Sequence, residues 1–113
     1  MHELAITEGI IKIAVEAAKQ NNAERVLSIK IKCGEFSGVV PQLIQEYFDI
    51  VSNETIAQGA KLLVEKIPIT IKCFDCNTEN VIEKSNIKCP KCGSFNYRII
   101  AGKEFFIDLV EVE

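Results

Sequence analysis

Four of the five cysteines form two Cys-x-x-Cys pairs, Cys73 with Cys76 and Cys89 with Cys92. Each pair can fold into a tight turn whose two thiolates converge, and two such turns supply four sulfur ligands at the corners of a tetrahedron. This spacing predicts a structural zinc site. A dithiol redox centre at the first pair is the alternative. We disfavour it because that chemistry uses a pair at the start of a helix, whereas Cys73 follows a predicted strand.

The second pair carries turn residues as well as ligands. In Cys89-Pro90-Lys91-Cys92-Gly93, the proline fixes one backbone angle and the glycine permits the positive φ that such a turn needs. Four cysteines leave no open coordination position on the metal, which argues against metal-dependent catalysis. The sequence also shows no phosphate-binding loop and no paired nucleophile and base. We therefore expect that the protein is not an enzyme. Because zinc ribbons serve many functions, the function must be inferred from the rest of the chain.

The N-terminus holds a second set of candidate metal ligands. His2 is the only histidine of the chain, and a bulky second residue keeps Met1 in place. The α-amine of Met1, the amide nitrogen of His2 and its imidazole can close fused chelate rings around one ion, and Glu3 adds a backbone amide and a carboxylate. Nitrogen donors in a plane suit Ni(II) or Cu(II) better than Zn(II) or Mg(II). A single terminal histidine is also commonly a solvated side chain, so the residues alone leave both interpretations open.

Length and composition indicate the size of the core and the cellular compartment. A chain of 113 residues can bury one core of ordinary size, with a small metal-bound satellite. Cysteines at metal spacing, without a further set to form disulfides, indicate a reducing compartment. The start Met1-His2-Glu3 lacks the pattern of a secretory signal, and no apolar run approaches the roughly 18 residues of a membrane span. We expect a soluble cytoplasmic protein with no membrane partner.

The charge distribution argues against nucleic acid as a partner. The chain has 13 basic and 16 acidic residues, a net charge of −3. Residues 72–98 carry five basic and three acidic side chains, but four zinc-bound thiolates would cancel that small excess. A nucleic-acid clamp normally shows a basic stripe with aromatic platforms. The alternative function is nevertheless a zinc-ribbon nucleic-acid-binding or transcription-associated module, which would use the following residues: Lys84, Lys88, Lys91, Phe95 and Tyr97.

Apolar spacing predicts the first helix and strand. Helical periodicity runs over residues 4–20, and Asn21-Asn22 ends it. The predicted buried face of this helix is Ile6, Ile10, Ile13, Ala14 and Ala17. Strict alternation then begins, which predicts a half-buried strand with an inward face made of Leu27, Ile29, Ile31 and Cys33. Cys33 is therefore interpreted as a buried structural thiol rather than a fifth metal ligand.

The remaining elements complete an α+β fold. Pro41 starts a second helix with the apolar stripe Ile44, Tyr47, Phe48 and Val51. Leu62 to Ile71 reads as a second strand, in which Pro68 requires an edge or a bulge, and Phe105 to Val112 as a third. The prediction is a small mixed three-stranded sheet with two helices, plus an inserted zinc-ribbon module. Residues 1–71 and 99–113 would form the α+β domain, and 72–98 the ribbon, with crossings near Ile71-Lys72 and between Ile99 and Gly102.

These motifs together resemble the HypA/HybF family of nickel metallochaperones, which act in the maturation of nickel–iron hydrogenase. The resemblance is carried by Met1-His2-Glu3 before an amphipathic helix, by Gly34-Glu35-x-Ser37 before a second helix, and by the cysteine pairs before a final strand. It covers the whole chain in order and in length. The joint pattern is far more specific than either metal motif alone.

The resemblance implies two metal ions and several partners. The four cysteines would hold structural Zn(II), and His2 would bind transported Ni(II), with Met1 and Glu3 contributing through the backbone. The expected partners are a HypB-like GTPase and the hydrogenase large subunit, and some family members also serve urease maturation. Family members often carry an acidic residue just before the second helix, where this chain has Val40. Any extra carboxylate for nickel would then come from one of three residues or from a partner: Glu3, Glu8 or Glu35.

Overall fold

The structure, a computed structural model, describes residues 2–113. In chain order its elements are α1 (Glu3–Gln20), β1 (Val26–Gly34), α2 (Pro41–Val51), β2 (Lys61–Ile67), β3 (Ile69–Cys73), β4 (Glu79–Ile82), β5 (Tyr97–Ala101) and β6 (Phe105–Val112). No helix in this part of the chain combines the length and the apolar character that crossing a membrane requires.

The first sheet has three strands in the order β2-β1-β6. The α2 helix connects β1 to β2, and this crossover makes the two strands parallel, whereas β6 runs antiparallel to β1. In the centre of the sheet, Ile31 pairs with Val64 on one side and with Ile107 on the other. The predicted α+β fold, with a mixed three-stranded sheet, two helices and a cysteine-bearing insertion, is confirmed.

The first core lies between the two helices and one face of this sheet. Its buried members from α1, β1 and α2 include Ile10, Ile11, Ala14, Ala18, Val26, Ile29, Ile31, Cys33, Ile44 and Phe48. The prediction for α1 was wrong at Ile13, which is 56% exposed, because Ile11 takes the inward position instead. The prediction for β1 was wrong at Leu27, which is exposed. A register shift between Val26 and Ser28 turns Val26 inward in its place.

Pro68 divides what the sequence suggested was one strand from Leu62 to Ile71. Proline has no N–H for a ladder hydrogen bond, so β2 ends at Ile67 and β3 starts at Ile69. The β3 strand belongs to a second, antiparallel sheet in the order β4-β3-β5. This sheet has a separate core made of Ile69, Ile71, Cys73, Ile82 and Cys89. The predicted ribbon boundaries of 72–98 therefore fall inside β3 and β5, and the division into two domains stays a proposal.

Two glycines let the backbones of the two sheets cross at close range. A Cβ atom at Gly34, the last residue of β1, would clash with the carbonyl group of Gly102. Gly102 has a φ of 109°, and a Cβ there would lie 2.7 Å from Cα of Ile69. Beyond this crossing, Phe36 packs against the second core, and the Lys84 ammonium lies 6.0 Å from its ring centroid. The resulting molecule is elongated, with a longest dimension of 53 Å.

Candidate metal centres

The four cysteines of the two pairs converge at the end of the second sheet. Their sulfur atoms all lie within 4.8 Å of one another. The Sγ atoms of Cys73 and Cys92 are 3.6 Å apart, and those of Cys76 and Cys89 are 3.7 Å apart. A tetrahedron with Zn–S bonds of about 2.3 Å has edges of about 3.8 Å. The donor set and its dimensions therefore fit a four-coordinate zinc ion, as the spacing predicted.

The two pairs occupy turns of the same construction. In the first, the Cys73 N–H donates to the carbonyl oxygen of Thr78 at 2.9 Å; in the second, the Cys89 N–H donates to that of Ser94 at the same distance. The residue after the second cysteine of each pair has a left-handed backbone conformation. Asn77 has a φ of 59° and Gly93 a φ of 75°. Glycine and asparagine tolerate this conformation best, which explains their presence there.

Asp75 connects the two turns. Its carboxylate accepts hydrogen bonds from the Ser94 hydroxyl and, at 3.1 Å, from the Asn96 side-chain amide. These two bonds lower the pKa of Asp75, so the carboxylate stays ionised at neutral pH. The role of Asp75 is thus to bind one turn to the other, and its oxygens are occupied by these donors.

The environment of the thiols favours a bound cation. The Thr78 hydroxyl, 3.0 Å from the Cys76 sulfur, lowers the pKa of Cys76 to about 6. At Cys89, burial raises the pKa, but the backbone N–H groups of Cys92 and Lys91 outweigh it and the pKa falls.

Cys92 behaves in the opposite way. The Ser94 N–H acts to lower its pKa, but the partial desolvation of its sulfur and the three neighbouring sulfurs outweigh this bond and raise the pKa to about 12. Four thiolates this close cannot all ionise without a compensating positive charge. A divalent ion would supply that charge and release the last proton.

The exposure of the four cysteines is uneven. Cys73 and Cys89 are fully buried in the second core, Cys76 is half-buried, and Cys92 is exposed. The fifth cysteine, Cys33, lies in the first core and outside this cluster, as expected for a structural thiol. Its Sγ atom is 3.5 Å from the Ser37 hydroxyl.

The N-terminal candidates lie at the other core, at the start of α1. His2 is exposed and stands at the N-cap position, where its carbonyl accepts the Ile6 N–H at 3.0 Å. Its imidazole makes no capping hydrogen bond to the helix. Met1, which we expect to contribute its α-amine, lies outside the described residues.

Glu3 has a structural contact that the sequence did not indicate. Its side chain is only 6% exposed, and its carboxylate accepts the N–H of Val40 at 3.2 Å. Val40 is the N-cap residue of α2, and its N–H is one of the donors that a helix start leaves unpaired, so Glu3 supplies from α1 the acceptor for this donor. This contact fixes the start of α1 against the start of α2, directly beside His2.

The other carboxylates named from the sequence are divided between two pockets. Glu8 lines a shallow pocket together with His2, Leu4 and Tyr47. Glu35 lines a different pocket, which contains Cys33 and Lys84. Of these two candidates, Glu8 is thus the one that shares a pocket with His2.

Two residues of the alternative nucleic-acid surface have structural contacts. Lys84 lies over the Phe36 ring, and the Tyr97 hydroxyl donates to the carbonyl oxygen of Ile87 at 2.5 Å. The side chains around the sulfurs, above all Thr78, Ser94 and Asp75, were not predicted from the sequence. A signal was present, because residues 73–80 and 89–96 share the pattern Cys-x-x-Cys, then Asn or Gly, then Thr or Ser, then x-Asn.

Comparison with known proteins shows the family of the chain. A family model described as "Hydrogenase/urease nickel incorporation, metallochaperone, hypA" matches residues 1–112. The chain is 36% identical over 113 residues to hydrogenase maturation factor HypA of Aquifex aeolicus, covering 100% of this chain and 98% of the relative. It is 39% identical over 113 residues to that of Dehalococcoides mccartyi, covering 100% and 95%.

Solved structures show the same fold. The solution structure of a HypA protein superposes with a TM-score of 0.72 at 25% identity, covering 100% of this chain and 97% of that one. The Ni metallochaperone HypA from Helicobacter pylori gives a TM-score of 0.65 at 24% identity, covering 99% and 97%. The full-length match of the family model, together with relatives above 30% identity, identifies a maturation factor and not an enzyme. This chain belongs to the HypA family of nickel metallochaperones.

Proposed function

We propose that this chain binds one Ni(II) ion at its N-terminus and carries it to the large subunit of nickel–iron hydrogenase during maturation. The observation that carries the proposal is the exposed His2 imidazole, which makes no capping bond and stands on a fixed base. That base is fixed because the neighbouring Glu3 carboxylate is buried against the start of α2. The cargo is therefore held at the surface, where a partner can reach it.

The proposed ligands are nitrogen atoms. The α-amine of Met1, the amide nitrogen of His2 and its imidazole would form adjacent chelate rings, and the Glu3 backbone amide would complete a plane of donors suited to Ni(II). Nitrogen ligands bind a metal only after losing their protons, so nickel affinity should fall in mild acid. A carrier with this property can release its cargo without unfolding.

The cysteine centre has a different proposed role. Zinc bound there would supply folding free energy and charge compensation for four thiolates, with no open position for exchange. The protein holds those ligands with Thr78, Ser94 and Asp75, which fix the two turns around the sulfurs. We thus assign Cys73, Cys76, Cys89 and Cys92 to structural zinc and His2 to transported nickel.

The proposed partners follow from the family. The chain would receive or transfer nickel together with a HypB-like GTPase and deliver it to the hydrogenase large subunit, and urease maturation factors are further candidate partners. We propose that this transfer takes place in the cytoplasm, a reducing compartment that suits five cysteines free of disulfides.

Metal analysis of the purified chain tests the proposal. The wild-type protein should bind one nickel and one zinc, whereas His2→Ala should lose the nickel and keep the zinc. Glu16→Ala is the matched control because Glu16 is an exposed carboxylate of the same helix that lies outside this pocket and is not a candidate ligand. Equal nickel binding by wild type and His2→Ala would refute the N-terminal site, and loss of zinc from His2→Ala would refute the division of roles.

A further inference from the structure

The first sheet has one face that no part of the described chain covers. Both helices pack on the opposite face, with the first core. Side chains alternate across a strand, so the uncovered face, here named the open face, is defined by register. It consists of Ser28, Lys30 and Lys32 on β1, Lys61, Leu63 and Glu65 on β2, and Phe106, Leu109 and Glu111 on β6.

The open face carries large apolar side chains. Leu63 is 49% exposed, Leu109 53% and Phe106 45%. By register, Lys30 on the central strand lies between Leu63 and Leu109, and the adjacent Lys32 lies beside Phe106. Directly opposed side chains on neighbouring strands have Cβ atoms about 5 Å apart. The three apolar side chains therefore surround the two lysines as one surface rather than as isolated exposed residues.

The lysine in the middle of this surface, Lys30, forms no ion pair of its own within the described part of the chain. Glu65 forms an ion pair with Lys32 at 2.9 Å, and Glu111 accepts a hydrogen bond from Ser28 at 2.7 Å. Lys30 takes part in none of the ion pairs found within residues 2–113. The chain as a whole has a net charge of −3. The open face holds three lysines (Lys30, Lys32 and Lys61) and two glutamates (Glu65 and Glu111), so it carries a charge of +1 on a protein of the opposite net charge.

We propose that the open face binds an amphipathic helix of a partner protein, with apolar residues and one carboxylate on its contact face. Three strands span about 10 Å from first to last, which matches the 10–12 Å diameter of one helix with its side chains. A helix lying along β1 would cover Leu63, Leu109 and Phe106. Its carboxylate would then meet Lys30, where the surrounding apolar contacts exclude water and strengthen the charge pair.

The charges distinguish this occupant from two others. A second copy docked face to face about a two-fold axis through the centre of the open face would bring Lys30 of each chain together, which like charges oppose. A nucleic-acid strand would place phosphates beside Glu65 and Glu111 and would leave the leucines unused. An acidic amphipathic helix satisfies both the apolar and the charged residues of the open face.

A pair of designed peptides provides the probe. Both are helical and carry a stripe of leucines at i, i+4 and i+7; one has a glutamate within the stripe and the other a lysine. Each is titrated into the zinc-loaded, ¹⁵N-labelled full chain and followed by the amide chemical shifts. We expect the glutamate peptide to shift residues of β1, β2 and β6 and to bind at least about tenfold more tightly than the lysine peptide.

Lys30→Glu gives the sharpest comparison. It should weaken the glutamate peptide about tenfold and strengthen the lysine peptide by a similar factor, since close charge pairs at interfaces contribute at least this much. Lys19→Glu makes the same charge change at the exposed end of α1 and should alter neither affinity. Leu109→Ser should weaken both peptides, whereas Ile50→Ser, at a 72% exposed position of α2, should weaken neither.

Four results would overturn the proposal. The first is a set of shifts that map to the helices or to the second sheet. The second is a ratio of affinities for the glutamate and lysine peptides that is the same in the wild type and in Lys30→Glu. The third is a concentration-dependent dimer that Leu109→Ser abolishes, which would assign the open face to a second copy. The fourth is binding of a short single-stranded RNA that Lys30→Glu abolishes. Nickel takes no part in these measurements, so their failure leaves the N-terminal site untouched.

Discussion

Glu3→Ala should destabilise the first core, because it removes the side-chain oxygen that accepts the N–H of Val40 at the start of α2. Loss of a side-chain acceptor at the start of a helix costs about 0.5–2 kcal/mol, and the lost negative charge at a helix N-terminus is part of the same effect. Because Glu3 is 6% exposed, water replaces its oxygen poorly, so we expect about 1–2 kcal/mol. For a chain of this size, that corresponds to a fall in Tm of roughly 4–8 °C.

The assay is urea and thermal unfolding of the zinc-loaded, nickel-free protein, followed by the circular dichroism of its helices. Glu8→Ala is the matched control, since it removes an exposed carboxylate from the same helix and should change stability by less than about 0.5 kcal/mol. Glu3→Gln keeps an acceptor oxygen without the charge and should fall between the two. If Glu3→Ala and Glu8→Ala were equally stable, the inference that Glu3 caps α2 would be wrong.

Three further predictions concern the other parts of the fold. Cys92→Ser should release zinc, a loss on the order of 10 kcal/mol of binding free energy, and should unfold residues 69–101 while the helix signal persists; retention of zinc would contradict the four-cysteine site. Gly34→Ala should cost more than about 3 kcal/mol because its Cβ would meet the Gly102 carbonyl, whereas Gly9→Ala, in open space within α1, should gain about 0.5–1 kcal/mol; similar stabilities would refute the tight crossing. A peptide fused before Met1 should abolish nickel binding, and one fused after Glu113 should not, since the fusion converts the α-amine to an amide; equal nickel titrations would exclude that amine as a ligand.

The metal-binding sequence motifs were the most predictable part of the molecule. Cysteine spacing predicts the convergence of four sulfurs because the ligand geometry is local to each turn. Pro41 and Asn21-Asn22 likewise mark helix ends through backbone restrictions that need no tertiary context. The same holds for β6, whose bounds of Phe105–Val112 agree with its apolar run.

The features that the sequence did not reveal depend on contacts between distant segments. The hydrogen bond from the Val40 N–H to Glu3 joins residues 37 positions apart, and neither residue type predicts it. The orientation of α1, which buries Ile11 rather than Ile13, follows from how two helices share one sheet face. Pro68 was recognised as a disturbance, but only the pairing of β3 with β4 and β5 shows that it separates two sheets.

The insertion of the second sheet between β2 and β6 gives it an influence on residues that it does not touch. The outer strands of the first sheet are joined in sequence by residues 68–104, and when this stretch is folded it acts as a short connection. When this stretch unfolds, β6 must pair with β1 at the end of a long flexible loop. The effective length of the connection then rises by about three doublings, which costs about 2 kcal/mol of loop-closure free energy. Loss of metal at one end of a 53 Å molecule would then lower the stability of the first sheet at the other end through loop entropy alone.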